Sequence, residues 1–181
     1  ESNREAIAAA KLTYQKHSTS GHDLLLAPRQ NSELFGEAGN DLLRGNTGND
    51  ALWGGLGQDT LSGGRGNDWL QGGQGSDRLS GGEGADFFSY QINDASSRWR
   101  DTITDFDGQR GDRLGITAVL DGEDPFANPG WKYIGSSAFS GATAELRFAN
   151  GHLQGDVDGD RKADLLIHLL GVNTFNPNWI S

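Results

Sequence analysis

The sequence lacks or is poor in several residue types, and each shortage excludes a class of structure. Its 181 residues include no cysteine, no methionine and only four prolines. Without cysteine, neither disulfides nor thiolate metal sites are available. Because the chain begins at Glu1 and contains no methionine, we expect it to be a processed piece of a longer polypeptide. No apolar run approaches the length needed to cross a bilayer, so the sequence predicts no membrane span.

Positive charge is also scarce. Lysine and arginine number 15 against 25 aspartates and glutamates, which gives a formal net charge of −10. Phosphate backbones and anionic lipids repel such a chain, so nucleic acid is not an expected partner. The excess of carboxylates favours a cation as the compensating ligand.

Glycine, in contrast, is abundant and periodic. From Gly36 to Ser89 the chain reads as six nonapeptides that share glycine at positions one and four, aspartate at position six and an apolar residue at position eight. The aspartates are Asp41, Asp50, Asp59, Asp68, Asp77 and Asp86. The glycines are Gly36, Gly39, Gly45, Gly48, Gly54, Gly57, Gly63, Gly66, Gly72, Gly75, Gly81 and Gly84. This regular spacing predicts a stacked repeat and argues against a disordered chain.

The same frame extends backwards through residues 18–35. Residues 18–26 keep Gly21, Asp23 and Leu25, whereas residues 27–35 keep only Leu34 at position eight. Positions one to six predict a turn, because glycine permits positive φ, and positions seven to nine predict a short strand with its middle side chain pointing inward. Two nonapeptides then form one coil, with a strand on each of two facing sheets. The sequence predicts an all-β fold with a right-handed parallel β-roll over residues 18–90.

Repeats on one edge of this roll are 18 residues apart in sequence and about 4.8 Å apart in space. The spacing predicts two columns of aspartates: Asp23, Asp41, Asp59 and Asp77 on one edge, and Asp50, Asp68 and Asp86 on the other. Carboxylates this close repel by about 1 to 3.5 kcal/mol per pair, and a hard dication between them reverses the sign. Calcium accepts carboxylate and carbonyl oxygens in irregular geometry, so we predict about four to six Ca²⁺ ions bound by the aspartates and the glycine turns.

The nonapeptide GGxGxDxUx, in which U is apolar, resembles the repeat of RTX (hemolysin-type) calcium-binding proteins. The match is strong over residues 36–89 and weaker over residues 18–35. The resemblance implies an extracellular protein of a Gram-negative bacterium, exported by the type I secretion machinery and folded by external calcium.

The flanking segments have other patterns. Residues 4–16 have an amphipathic period that predicts a short helix within an N-terminal lead-in of residues 1–17. Residues 91–181 alternate like ordinary strands and contain a two-residue hairpin signal at Asn150–Gly151. We therefore predict that residues 91–181 form a mostly antiparallel, β-sandwich-like cap domain that closes the end of the roll.

The second half resembles the C-terminal domain of serralysin-type metalloproteases in the order of DTITDF, GDRL, AFSGATAELRF and LQGDVDGDRKADLLIHLLG. Related RTX modules of alginate epimerases share parts of these motifs. The resemblance implies an additional metal-ligand set after the roll that includes Asp105 and Asp112. The alternating aspartates of residues 156–164 fit either a calcium loop or a solvated acidic turn, because the glycine and glutamate of an EF-hand are not at their positions.

Outward positions of alternate repeats have an aromatic strip, which consists of Phe35, Trp53, Trp69 and Phe87 with Ala51 beside them. A flanking segment covers this strip, or the strip is exposed as a binding face. An exposed strip, together with Arg44, Arg65 and Arg78, favours an anionic polysaccharide as a partner, as in an alginate-binding R-module of a mannuronan epimerase.

Catalytic motifs are missing from the sequence. It has no HExxH zinc motif, which the proteases it resembles use, and no GxSxG nucleophile motif. We therefore predict a non-catalytic calcium-binding module of a larger secreted enzyme, whose catalytic domain lies upstream. A polysaccharide-binding module is the alternative, and a complete small enzyme is a third interpretation.

Overall fold

The computed structural model describes residues 14–92, 99–118 and 130–181, and nearly all regular structure in them is β. The strands are β1 (Tyr14–His17), β2 (Leu24–Leu26), β3 (Ser32–Phe35), β4 (Leu42–Thr47), β5 (Ala51–Leu56), β6 (Thr60–Arg65), β7 (Trp69–Gln74), β8 (Arg78–Glu83), β9 (Phe87–Ile92), β10 (Trp99–Ile103), β11 (Arg113–Ala118), β12 (Lys132–Tyr133), β13 (Glu145–Ala149), β14 (His152–Asp156) and β15 (Leu165–Leu169). A short 3₁₀ helix lies at Pro177–Trp179. Within the described ranges, no helix has the length and apolar character needed to cross a membrane.

These strands form two sheets. The six-stranded sheet has the order β1-β3-β5-β7-β9-β11, and the nine-stranded sheet has the order β12-β13-β14-β15-β10-β8-β6-β4-β2. Successive strands from β1 to β9 alternate between the sheets, and each pairs in parallel with the strand two positions further on. Leu34 lies opposite Leu52, and Leu52 lies opposite Leu70. The predicted parallel β-roll, with two nonapeptides per coil, is confirmed.

The core lies between the two sheets and is built from the position-eight side chains. All of them are at most 1% exposed: Leu25, Leu34, Leu43, Leu52, Leu61, Leu70, Leu79 and Phe88. The same core continues into the second half of the chain through Ile103, Leu114 and Leu165. One inward side chain per strand is enough, because the stacked coils place these side chains in contact along the whole roll.

The strands of the inner repeats are longer than the three residues predicted. β5 covers positions seven to nine of one nonapeptide and positions one to three of the next. Pairing resumes at position two, where Gly55 lies opposite Gly73. Both glycines have positive φ, of 108° and 104°, which turns the chain without ending the sheet.

The C-terminal half extends the roll. β10 pairs in parallel with β8, and β11 pairs in parallel with β9, so both sheets continue beyond residue 90. The predicted hairpin is confirmed: β13 and β14 are antiparallel, and Asn150 and Gly151 between them have φ of 53° and 76°. β15 is antiparallel to β14 but parallel to β10, so these strands join the nine-stranded sheet and make it mixed. The division into separate domains stays a prediction.

The N-terminal helix prediction is wrong for residues 14–16. These residues belong to β1, which pairs in parallel with β3 and places Tyr14 opposite Ser32. The remainder of the predicted helix, residues 4–13, lies outside the described residues. The free edge of β3 offers hydrogen-bonding groups to the chain, and this tertiary pairing outweighs a short, weak helical pattern.

Candidate calcium site

The aspartates at position six form the two predicted columns. In each column, the backbone N–H of one aspartate donates to Oδ1 of the aspartate two nonapeptides further on. In the first column, the N···Oδ1 distances are 2.7 Å from Asp23 to Asp41, 2.7 Å from Asp41 to Asp59 and 2.8 Å from Asp59 to Asp77. In the second column, they are 2.8 Å from Asp50 to Asp68 and 2.9 Å from Asp68 to Asp86. The backbone therefore fixes one oxygen of each accepting carboxylate.

The other oxygen of the inner carboxylates has no protein partner. Oδ2 is buried and accepts no hydrogen bond in Asp41, Asp50, Asp59, Asp68, Asp77 and Asp86. These side chains are at most 3% exposed. A buried carboxylate oxygen without a partner is costly, and a bound cation removes that cost.

Each unpaired oxygen lies against position one of its own turn, where only a residue without a Cβ fits. A Cβ added to Gly45 would lie 2.5 Å from both Asp50 Oδ2 and the carbonyl oxygen of Gly63. A Cβ added to Gly54 would likewise collide with the Oδ2 of its own turn and with the next carbonyl of the same edge. We call the place where these two oxygens meet beside the glycine the position-one chamber. Carboxylate and carbonyl oxygens are the ligands that Ca²⁺ prefers, so the residues present fit this ion.

Burial changes the acidity of the columns. It raises the pKa of Asp59 to about 6, of Asp50, Asp77 and Asp86 to about 7, and of Asp68 to about 8. Burial is the main cause in every case, and repulsion from Asp86 and Asp50 raises the pKa of Asp68 further. Without a cation, the folded columns therefore favour the protonated carboxyl.

The structure brings the predicted residues Asp105 and Asp112 to the C-terminal end of the second column. Asp86 N donates to Asp112 Oδ1 at 2.9 Å, so Asp112 continues the column. Asp112 Oδ2 accepts a hydrogen bond from Asp107 N at 2.8 Å. Asp105 accepts hydrogen bonds from Gly81 N and from Ser80 Oγ, at 3.1 Å and 2.6 Å. That these two carboxylates bind metal stays a prediction.

One member of the columns was missed in the sequence. Asp77 N donates to Asp101 Oδ1 at 2.8 Å, so Asp101 continues the first column. Its side chain is 1% exposed and lies beside the buried Tyr90 hydroxyl group. Asp101 lies 24 residues after Asp77 and so falls outside the nine-residue frame. The available signal was local: Asp101 and Ile103 repeat the pattern of an aspartate followed by an apolar residue two positions later.

A second ladder, at position five, was also missed. Asn31 Oδ1 accepts from Asn49 N at 2.9 Å, and Asn49 Oδ1 accepts from Asn67 N at 2.9 Å. On the other edge, Asn40 Oδ1 accepts from Gln58 N at 2.8 Å. These amides hold successive turns in register beside the aspartate columns.

The alternating aspartates of residues 156–164 form the turn between β14 and β15. One carboxylate oxygen from each of Asp156, Asp158 and Asp164 lies within 4.8 Å of the others. Asp156 accepts from Gly159 N at 2.8 Å, and Asp164 accepts from Val157 N at 2.8 Å. Asp156 and Asp164 therefore stabilise the turn by accepting hydrogen bonds from its backbone N–H groups.

The aromatic strip lies on the outer face of the six-stranded sheet. The ring centroids of Phe35 and Trp53 are 4.5 Å apart, and those of Trp53 and Trp69 are 4.9 Å apart. His17 stacks on Phe35 at 4.3 Å and extends the row. Trp69 is buried, whereas Phe35 and Trp53 are half-buried. Trp53 borders a shallow groove that is also lined by Gly55, Leu56, Gln71, Gly73, Gln74 and Gln91.

Comparisons with known proteins gave similarity to solved structures and a match to a repeat family. A search of curated protein sequences gave no match. Among solved structures, the chain is similar to the solution structure of the AlgE6R3 subunit from the Azotobacter vinelandii mannuronan C5-epimerase, with a TM-score of 0.52 and 21% identity over 91% of this chain and 80% of that chain. At this identity the similarity concerns the fold, and the resemblance to serralysin-type domains stays a prediction. The family described as RTX calcium-binding nonapeptide repeat (4 copies) matches residues 17–52, 29–61 and 53–88, which together span the coils of the roll.

Proposed function

We propose that this chain is a non-catalytic module that folds when it binds Ca²⁺ outside the cell and thereby serves the export and stability of a secreted protein. The observation that carries the proposal is the row of buried Oδ2 atoms without partners, each beside a position-one chamber. The RTX repeats over residues 17–88 support calcium as the cation. Magnesium fits less well, because it demands a compact octahedron and retains its water.

The proposed mechanism couples calcium binding to folding. At the low calcium concentration of the cytosol, repulsion between the stacked carboxylates disfavours the roll, and the chain stays extended enough for the type I secretion machinery. In external calcium, an ion at about 100 times its Kd stabilises the folded state by about 2.7 kcal/mol. Because the chambers exist only when the coils are stacked, binding and folding are one transition. The folded roll then stabilises the secreted protein, whose catalytic domain we place upstream.

The substitution Asp68→Asn tests the assignment of the ligands. It keeps an oxygen for the Asp50 N–H but removes the charge that faces the chamber beside Gly63. We expect the variant to bind one fewer calcium ion per chain, measured by metal analysis after equilibrium dialysis. Glu83→Gln is the matched control, because this substitution also removes one negative charge, but from an exposed ion pair with Arg65. An unchanged number of ions in Asp68→Asn, or an equal loss in the control, would contradict the assignment.

A second candidate function is the binding of an anionic polysaccharide such as alginate. The similarity in fold to a subunit of a mannuronan C5-epimerase favours it, as does the groove beside Trp53, which combines an aromatic ring with glutamine side chains. The net charge of −10 opposes it. Titration of the calcium-loaded, ¹⁵N-labelled chain with alginate oligomers decides between the two. Localised shifts around Trp53 that disappear in Trp53→Ala support binding, and the absence of localised shifts removes this candidate.

A further inference from the structure

The two columns begin with residues that differ from the inner turns. Position one is glycine in the inner turns, but it is Ser18 in the first nonapeptide and Ala27 in the second. The N–H groups at position one donate equivalent backbone hydrogen bonds: Ser18 to Phe35 O at 2.9 Å, Ala27 to Arg44 O at 2.8 Å and Gly36 to Trp53 O at 2.7 Å. Ser18 and Ala27 therefore make the same backbone pairing as the position-one glycines. Unlike glycine they carry a Cβ, and in the inner turns a Cβ at this position would collide with the aspartate Oδ2 and the next carbonyl oxygen.

The Ser18 hydroxyl group also binds a carbonyl oxygen that is equivalent to those in the position-one chambers. Ser18 Oγ donates a hydrogen bond to the carbonyl oxygen of Gly36. In the inner turns, the equivalent carbonyl oxygens, such as that of Gly63, face the chamber together with an aspartate Oδ2. At the first turn, a hydroxyl group thus binds the carbonyl oxygen that, in the inner turns, lies beside an unpaired carboxylate oxygen.

The carboxylate of the first turn is satisfied by its own turn. Asp23 Oδ2 accepts hydrogen bonds from Thr19 N at 3.1 Å and from Thr19 Oγ1 at 2.8 Å. The same oxygen of the inner aspartates is buried and has no partner. In the second nonapeptide, position six is Ser32, whose Oγ donates to Gln30 O at 2.8 Å. That turn therefore has no carboxylate whose negative charge a cation would balance.

We propose that Ser18, Thr19 and Ala27 close the N-terminal ends of both columns without metal, so that Asp23 is a capping carboxylate and binds no Ca²⁺. The inference rests on the proposed calcium function and states where the calcium array begins. The first chambers open to an ion are then those beside Gly36 and Gly45. Hydroxyl and amide hydrogens replace the cation at the end of the stack.

The double substitution Ser18→Gly/Thr19→Gly tests the proposal directly, because residues 18–23 then read GGSGHD and match the inner repeats. We expect one additional calcium ion per chain, measured by metal analysis after equilibrium dialysis of the folded protein. Ser20→Gly, at an exposed position three, is the matched control and should leave the number unchanged. Equal numbers in the double variant and the parent overturn the proposal. A parent chain that binds no calcium overturns the proposed function and this inference with it.

Two further variants keep the test decisive if the double variant does not fold. Asp23→Asn is expected to leave the number of bound ions unchanged, whereas Asp59→Asn is expected to lose one. Loss of an ion from Asp23→Asn shows that Asp23 is a ligand and overturns the proposal. In the second column, Ala27→Gly/Ser32→Asp restores both the chamber and the carboxylate, and it is expected to add one ion. Failure of this folded variant to gain an ion contradicts the closure at Ala27.

Discussion

Removal of calcium is expected to unfold the whole roll. In excess chelator, the chain should have the far-UV circular dichroism spectrum of an unfolded polypeptide, and millimolar calcium should convert it to a β spectrum in one cooperative step. The physical reason is that the two columns stack carboxylates whose Oδ2 atoms are buried without partners. Several ions that each contribute about 2.7 kcal/mol at about 100 times their Kd rival the whole stability of an ordinary domain, about 5–15 kcal/mol.

Far-UV circular dichroism during a calcium titration measures this transition, and the near-UV signal of the aromatic side chains reports whether tertiary packing forms in the same step. A parallel titration with magnesium is the control, and it should leave the chain largely unfolded at equal concentration. A β spectrum that persists unchanged in chelator would show that the roll folds without metal. That result would remove the proposed switch but not the fold.

Acidification is expected to replace calcium in part. In the metal-free roll, burial raises the pKa of Asp50, Asp77 and Asp86 to about 7 and that of Asp68 to about 8, so the folded state binds protons more tightly than the unfolded chain. For such groups, the stabilisation is fully present below the ordinary aspartate pKa and is lost as the pH rises through the raised values. Each pKa unit corresponds to about 1.4 kcal/mol per carboxyl group, so several groups together produce a large effect.

The measurement is the fraction of β structure in chelated samples between about pH 8 and about pH 5, where the folded fraction should rise as the pH falls. With calcium present the dependence should reverse, because protons compete for the carboxylates and the midpoint of the calcium titration should move to higher concentration in acid. Light scattering on the same samples separates folding from association of the less charged chain. A chelated chain that loses β structure on acidification would contradict the raised pKa values of the columns.

The sequence by itself determined the coil of the roll and most of its columns. A nine-residue period with an apolar residue at position eight can bury that residue only if alternate repeats pair, and alternate repeats are 18 residues apart. The register of Leu34 with Leu52 and the hydrogen bond from Asp41 to Asp59 follow from this arithmetic. The sequence also indicated that position one must lack a side chain, and the structure gives the reason: a Cβ there would collide with the neighbouring turn.

Only the tertiary structure decided what happens where the period fails. Asp101 and Asp112 continue the columns at intervals of 24 and 26 residues, because a loop of any length serves if the chain returns to the open edge of the sheet. Tyr14–His17 became a strand for the same reason, since the edge of β3 was available to it. Ser18 looks in the sequence like a neutral departure from the repeat. The role proposed for it depends on the hydrogen bond from its hydroxyl group to the Gly36 carbonyl, which exists only because the coils stack.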